Sequence, residues 1–179
     1  MDLFSHDYDL PEGLDERLEL VARRILFTRK YTLRLLEGLS DEEWFWQPEA
    51  YPTHIAWQVG HIAMSHYGLT LFRIRGRETV DRALLPGKYR KLFLKGTRAD
   101  AEPTAYPQPQ ELLEKLEQIR LQTFSELAGF AAMLDEPTEA PHTSFGTKFG
   151  SLVFVADHEM LHAGQIGMLR RLMGKEPVG

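Results

Sequence analysis

Two histidines at helical spacing are the clearest chemical feature of the sequence. His158 and His162 are four residues apart in a segment, 154–166, whose pattern indicates a helix. Positions four apart lie on nearly the same helix face, separated by about 6 Å along the axis, so their imidazoles can bind one metal ion. The apolar residues of the segment share this face. The pattern therefore predicts both histidines at core positions, where unpaired polar rings are costly.

A third ligand is expected from another helix, because catalytic metal sites often use three protein ligands and leave one position open. His61 is the candidate, since it lies mid-span on an apolar face of the other predicted helix that carries histidine. His54 falls in the first turn of that helix, where capping or solvent exposure is expected, and His66 lies well around the helix from His61. His6 and His142 lie in predicted loops. Any one histidine alone would be expected to be a hydrogen-bonded core residue, whereas three together favour a metal site.

The residues from His158 to His162 also match the H-E-x-x-H pattern of zinc metalloproteases, in which Glu159 would act as the general base. This is a minor alternative, because Gln165 and Met168 occupy the positions where the extended pattern has glycine and histidine. No catalytic residue is assigned. The candidates are Glu159, as a base for a water at the metal, and Gln165, as a hydrogen-bond partner of a ligand.

The composition is that of one ordinary globular domain. The chain has 179 residues, 43% hydrophobic and 26% charged, so we expect a single domain, 1–179, with a loose arm at 1–12. The net charge of −5 and the lack of a basic, aromatic cluster argue against nucleic acid as a partner. The absence of cysteine excludes thiolate ligands and disulfides. No signal peptide or membrane-spanning run is recognised, so we expect a cytoplasmic protein that does not bind membranes.

Apolar residues recur at spacings of three and four in four long segments, and this periodicity predicts four helices. A capping-box pattern from Ser40 to Glu43 predicts a short extra turn after the first helix, and Thr53 is the expected N-cap of the second. The predicted helices span about residues 14–39, 53–76, 109–134 and 149–173. The predicted fold class is all-α, a four-helix bundle with a long crossover at 76–107 between helices two and three.

Basic residues mark the middle of this crossover. Lys88, Arg90, Lys91 and Lys95 surround a short apolar run and predict a short amphipathic helix. A solvated basic face laid over the bundle is the favoured interpretation. A flap that binds an anion is the alternative.

Three stretches, residues 39–44, 54–62 and 158–177, together resemble the DinB-like superfamily, including its YfiT-like metal-dependent hydrolases and thiol transferases. The resemblance implies an up-down-down-up bundle. It also implies that His61, His158 and His162 bind a divalent metal ion, nickel or zinc first, with iron and manganese as further candidates. Superfamily members are often homodimers, so a homodimer is expected here.

The resemblance and the histidines together predict a metal-dependent enzyme that activates water or a small-molecule thiol toward a small electrophilic substrate. It would be a thiol S-transferase or a hydrolase. Because the chain has no cysteine, the thiol would arrive as a low-molecular-weight partner. The alternative is a metal-binding bundle with a structural or stress-related role and no catalysis. Four residues lie one turn from the ligands: Trp57, Met64, Ser65 and Gln165. Each is expected to line the pocket, to support a ligand from behind, or to serve only in ordinary packing.

Overall fold

The computed structural model describes residues 9–100 and 102–178, and within these ranges it contains helices and no β-strand. The all-α prediction is therefore confirmed, while residues 1–8 of the predicted N-terminal arm lie outside the described part. The α-helices are α1 (Glu16–Leu36), α2 (Asp41–Phe45), α3 (Ile55–Tyr67), α4 (Arg73–Arg75), α5 (Asp81–Leu84), α6 (Gly87–Phe93), α7 (Pro109–Glu126) and α8 (Lys148–Leu172). A π-helical turn, Gly68–Phe72, joins α3 to α4, and 3-10 turns span Pro103–Ala105 and Leu127–Met133.

None of these helices, over the ranges just given, combines the length and the apolar character needed to cross a bilayer.

The helix ends follow local sequence signals. The Asp15 side chain accepts a hydrogen bond from the backbone N–H of Leu18 and so caps α1. Ser40 and Glu43 form the predicted capping box at the start of α2. Past the ends of α1 and α8, Gly38 and Gly174 adopt φ values of 67° and 78°, a conformation that glycine reaches without a steric penalty.

The start of α3 differs from the sequence expectation by one residue. The N-cap is His54, not Thr53, because the Nδ1 of His54 accepts the backbone N–H of Trp57 at 3.0 Å. The Thr53 hydroxyl instead accepts a hydrogen bond from the Gln58 side chain at 2.8 Å. The helical path then continues through the π-turn and α4 to Gly76, which has φ of 80° and ends it where the sequence predicts.

The two longest helices, α1 and α8, pack along each other. Arg24 near the middle of α1 pairs with Asp157 of α8. Towards the C-terminal end of both helices, the Arg170 side chain donates a hydrogen bond to the carbonyl of Leu35 at 2.8 Å. Moving towards the C-terminus of α1, the contacts also move towards the C-terminus of α8, so the two helices run in the same direction.

Helix α3 packs against both α7 and α8. Near its start, Gln58 contacts His162 of α8 at 2.6 Å. In the π-turn beyond its end, the carbonyl of Leu69 accepts a hydrogen bond from Ser151 at 2.7 Å. The order of contacts along α3 is the reverse of their order along α8, so α3 and α8 are antiparallel. This places the middle of α3 beside the histidine-bearing turn of α8.

The crossover is structured over its described residues, 76–100 and 102–107. Arg75 donates paired hydrogen bonds to Asp81, at 2.9 and 3.1 Å, and to Glu126 of α7, at 2.5 and 3.1 Å, which ties the start of the crossover to the bundle. Helix α6 confirms the predicted short amphipathic helix, because Tyr89 and Phe93 are fully buried while its basic side chains are exposed. The segment is therefore part of the core, and α6 packs directly against α3.

Candidate metal centre

The structure brings the three candidate ligands together. One nitrogen from each of His61, His158 and His162 can be chosen so that all lie within 4.8 Å of one another. The ring centroid of His61 lies 5.2 Å from that of His158 and 4.7 Å from that of His162. Helix α3 supplies the first ring and one face of α8 supplies the other two, which are separated by 4.6 Å. The antiparallel packing of α3 on α8 thus assembles a three-imidazole cluster.

The position of the His61 ring is determined by α6. Its Nδ1 lies 2.6 Å from the backbone carbonyl of Phe93, a hydrogen bond that requires the proton on Nδ1. The ring also stacks on Trp57 at 4.9 Å with an interplanar angle of 7°. The indole N–H of Trp57 in turn donates to the carbonyl of Leu92 and to the hydroxyl of Thr97, both at 3.1 Å. The crossover therefore orients one of the three ligands.

A glycine permits this close approach of α6 to α3. A Cβ atom added at Gly60 would lie 2.4 Å from the ring of Phe93, far inside van der Waals contact. The residue next to His61 must therefore lack a side chain if Phe93 is to reach the position from which its carbonyl meets the imidazole. Gly60 acts here through space rather than through backbone freedom.

The His162 ring is oriented by a chain of side chains. Its Nδ1 lies 2.6 Å from the Oε1 of Gln58, and the Nε2 of Gln58 donates to the Thr53 hydroxyl at 2.8 Å. The amide nitrogen faces Thr53 and the amide oxygen faces the imidazole, and this orientation puts the proton on Nδ1 of His162. The same arrangement is common around metal-bound histidines, where an outer partner selects the tautomer and the ring orientation.

These partners leave the Nε2 atoms of His61 and His162 without a proton and able to bind a metal. Burial, with a smaller contribution from the neighbouring imidazoles, lowers the pKa of His158 to about 4 and that of His162 to about 3. Burial also lowers the pKa of His61. All three rings are therefore neutral near pH 7, as ligands must be.

The donor set fits a divalent ion. Nitrogen ligands lie about 2.0–2.1 Å from zinc, so the observed spread of up to 4.8 Å closes with a small rotation of the rings. Such a rotation is available because His158 and His162 are half-buried rather than enclosed in the core as the periodicity predicts. The difference arises because α3 covers only part of the histidine face of α8, and at His158 this face borders a cavity.

Glu159 lies away from the cluster. Its carboxylate is 2% exposed and receives paired hydrogen bonds from Arg29 of α1 at 2.9 and 3.1 Å. Arg29 also donates to the carbonyl of Leu116 and lies 3.3 Å from the Nδ1 of His66. A carboxylate held in a buried ion pair is poorly placed to accept a proton at the histidines, so this position does not favour the role of general base or the H-E-x-x-H interpretation.

The other polar candidates differ in whether they reach the histidine cluster. Gln165 is exposed, and the structure gives it no hydrogen bond to the three histidines within the described residues. Ser65 does reach the cluster, with its hydroxyl 3.3 Å from the Nε2 of His61, and Met64 lines the adjacent cavity. The sequence analysis missed Gln58, for which the available signal was a polar residue inside the apolar span of α3.

The remaining histidines that the structure describes lie outside the cluster. His54 is buried, with its Nε2 3.1 Å from the carbonyl of Asp100, which agrees with the expected capping role but not with solvent exposure. His66 is buried beside Arg29, on the other side of α3 from the cluster partners. His142 stacks on Phe145 at 4.3 Å in the loop before α8. His6 lies outside the described residues.

A cavity of about 1080 Å³ opens beside the cluster, and both His61 and His158 line it. Its wall includes apolar side chains from α3, the π-turn, α8 and the residues that flank α6, and basic side chains from α4 and α6. Enzyme and ligand sites typically occupy cavities of about 300–1,000 Å³. The cluster is thus accessible to a small molecule.

Fold and site together define a helical protein whose three histidines are positioned to bind one divalent metal ion. The family model of the DinB superfamily matches residues 24–166, and the chain belongs to this superfamily. The match includes all three histidines. The comparison with curated proteins found no match.

Proposed function

We propose that this protein is a metal-dependent enzyme that activates water or a low-molecular-weight thiol toward a small electrophile. The observation that carries the proposal is the trio of neutral imidazoles, two with their protons assigned away from the cluster. Two of the three, His61 and His158, lie at the wall of a cavity large enough for a substrate. Nickel and zinc are the expected ions, since imidazole suits both.

A divalent ion with an open position would lower the pKa of a bound water or thiol toward neutrality and so supply a nucleophile at physiological pH. The chain's own residues hold the site. Gln58 and the Phe93 carbonyl keep two ligand rings in the correct tautomer, and the Ser65 hydroxyl can hydrogen-bond to a substrate beside His61. In the reaction the water oxygen or thiol sulfur bonds to the electrophilic carbon, the leaving-group bond breaks, and the proton passes to solvent.

The second candidate function is metal binding without turnover. The buried Arg29–Glu159 pair supports this candidate, because it holds the Glu159 carboxylate away from the cluster. Among the described residues, the cluster consists of histidines and includes no carboxylate that could act as a base. The two candidates separate in an activity screen of the metal-loaded protein. Metal-dependent loss of thiol, or of an epoxide, haloaromatic or ester acceptor, supports an enzyme, and no consumption across such a panel supports a binding protein.

Metal content tests the site itself. We expect one equivalent of metal per chain in the wild type by elemental analysis, and none or nearly none in His158→Ala. His142→Ala is the matched control, because His142 lines the same cavity but lies outside the cluster. Unchanged metal content in His158→Ala would contradict the assignment of ligands.

We also propose that the four long helical segments form the up-down-down-up bundle implied by the family. Parallel packing of α1 with α8 and antiparallel packing of α3 on α8 support this arrangement.

A homodimer that joins bundle to bundle is also part of the proposal. Leu20 and Phe27 of α1 and Leu161 of α8 are all more than half exposed. The Arg24–Asp157 pair places their two helix faces side by side, and exposed apolar surface of this kind favours association. Light scattering of the wild type and of Phe27→Glu tests it, since a dimer that uses this face becomes a monomer in the variant.

A further inference from the structure

We propose that the cavity beside the histidines binds an anionic small molecule that carries both a carboxylate or phosphate group and an apolar part. The inference rests on the proposed function, in that it names the chemical class of the substrate or cosubstrate of that site. The charge and the packing of the cavity wall support this ligand class.

The wall is strongly biased in charge. Its lining includes five Lys or Arg residues and no Asp or Glu: Arg73, Arg77, Arg90, Lys91 and Lys95. The whole chain has the opposite balance, with 26 acidic and 21 basic residues. Within the part of the chain that the structure describes, no ion pair is found for any of these five cations. A concave surface of one sign raises the local concentration of ligands of the other sign.

Lys88 provides the contrast on the same short helix. It points away from the cavity and pairs with Glu111 of α7 at 2.7 Å. The neighbouring basic residues of α6, Arg90 and Lys91, line the cavity instead. The division of one basic run into a paired outer side and an unpaired inner side favours the anion-binding flap over a uniformly solvated face.

Arg73 is the most buried of the five cations. It is half-buried, and its Nε is a fully buried donor without a hydrogen-bond partner among the described residues. Its Nη1 donates to the carbonyl of Gly68 at 3.2 Å, which holds the guanidinium at the wall. A buried guanidinium donor left unpaired is costly, and a carboxylate or phosphate is the partner whose geometry it matches.

Lys95 lines the same cavity as His61 and His158. It follows Phe93 by two residues, and the Phe93 carbonyl lies 2.6 Å from the His61 ring, so the chain at the end of α6 carries Lys95 to the wall beside the histidines. An anion held by Arg73 or Lys95 therefore remains in the cavity that opens on the metal centre. The cations bind the charged end of the small molecule, and the imidazole nitrogens remain free to bind the metal.

The apolar part of the ligand follows from the rest of the wall. Met64, Leu69 and Phe72 from the α3 side, Leu94 from the end of α6, and Phe154 from α8 all line the cavity. Apolar surface of this extent in a cavity favours ligands that remove it from water. A purely polar anion would leave it exposed, so the preferred ligand is amphiphilic.

Three size-matched probes test the proposal: 1-naphthoate, 1-naphthyl phosphate and 1-naphthylmethylammonium. Each is titrated by calorimetry into the full-length protein, both as purified and after removal of metal by a chelator. We expect one or both anions to bind at least about tenfold more tightly than the cation in both forms. The stronger of the two anions identifies a carboxylate or a phosphate as the preferred group. Equal affinity for anions and cation would overturn the proposal.

Variants place the binding in the cavity. Arg73→Gln and Lys95→Gln are each expected to weaken the preferred anion about tenfold, while Lys88→Gln, with the same loss of charge on the outer side of α6, leaves it unchanged. Because Lys95 is exposed, its variant remains a test even if Arg73→Gln unfolds. Equal effects of Lys88→Gln and Lys95→Gln would refute the site. Anion binding that persists in protein unable to bind metal would support this inference while the proposed function failed.

Discussion

Gly60→Ala is the substitution that most directly tests how the crossover shapes the metal centre. Gly60 lies inside α3, beside His61, and a Cβ there would lie 2.4 Å from the ring of Phe93. The Phe93 ring is fully buried and packs on Tyr89 and Tyr106 at 5.2 and 5.8 Å, so it has no free space to move into. The new methyl group must displace α6 or bend α3.

Two opposing effects set the magnitude. Alanine is favoured over glycine inside a helix by about 1 kcal/mol. Overpacking of a filled core costs about 1–3 kcal/mol. We therefore expect a net loss of about 0–2 kcal/mol in the free energy of unfolding. Because the backbone of Phe93 holds His61 at 2.6 Å, its displacement is also expected to weaken metal binding by about 10–100-fold, the usual effect of losing an outer partner of a ligand.

The assay combines urea unfolding with competition for metal against a chromophoric chelator. Gly164→Ala is the matched control, since Gly164 lies in α8 two residues after His162 and has nothing within 4 Å of its Cβ position. This control is expected to stabilise the protein by up to about 1 kcal/mol and to leave metal affinity unchanged. Adding Phe93→Leu to Gly60→Ala is expected to restore part of both losses.

The reasoning is refuted if Gly60→Ala is as stable as Gly164→Ala and binds metal as tightly as the wild type. That outcome would mean that α6 does not press on α3 and does not orient His61.

Three further predictions follow from buried polar groups. Arg29→Met is expected to cost about 3–5 kcal/mol in urea unfolding, because it leaves the Glu159 carboxylate buried without its partner, and adding Glu159→Leu is expected to recover most of this loss. Gln58→Ala is expected to lower metal affinity about 10–100-fold by freeing the His162 ring. Gln165→Ala, at an exposed position, is the control and is expected to leave metal affinity unchanged. Equal effects of the two substitutions would contradict the assignment of Gln58 as the partner of His162. Burial lowers the pKa of His54 to about 4. The unfolded chain therefore binds this proton at a higher pH than the folded chain does, and the metal-free protein loses stability as pH falls from about 6.5 to 4. His54→Asn, which keeps a capping oxygen, is expected to reduce the slope of stability against pH by up to about 1.4 kcal/mol per pH unit. The slope that remains is expected from His158 and His162, and an unchanged slope in His54→Asn would show that His54 does not contribute.

Much of this arrangement is determined locally and was predictable from the sequence. The capping box at Ser40, the ends near Gly38, Gly76 and Gly174, and the start of α7 at Pro109 depend on residues within one turn of each other. The four-residue spacing of His158 and His162 likewise places both rings on one helix face wherever that helix packs. A mid-span histidine on an apolar segment was enough to select His61. The family and the all-α class followed from the same short patterns.

Only the tertiary structure decided what surrounds the three rings. Periodicity shows that a helix face is covered but not by what. It therefore placed His158 and His162 in the core, although both are only half-buried and His158 borders a cavity. It also left Glu159 beside the histidines in sequence, while packing of α1 against α8 draws the carboxylate to Arg29. The partners of His61 and His162 come from α6 and from a glutamine fixed by Thr53, over separations that no local signal spans. The physical reason is that helix formation depends on neighbours along the chain, whereas ring orientation, burial and charge in a site depend on elements that meet only when the chain folds.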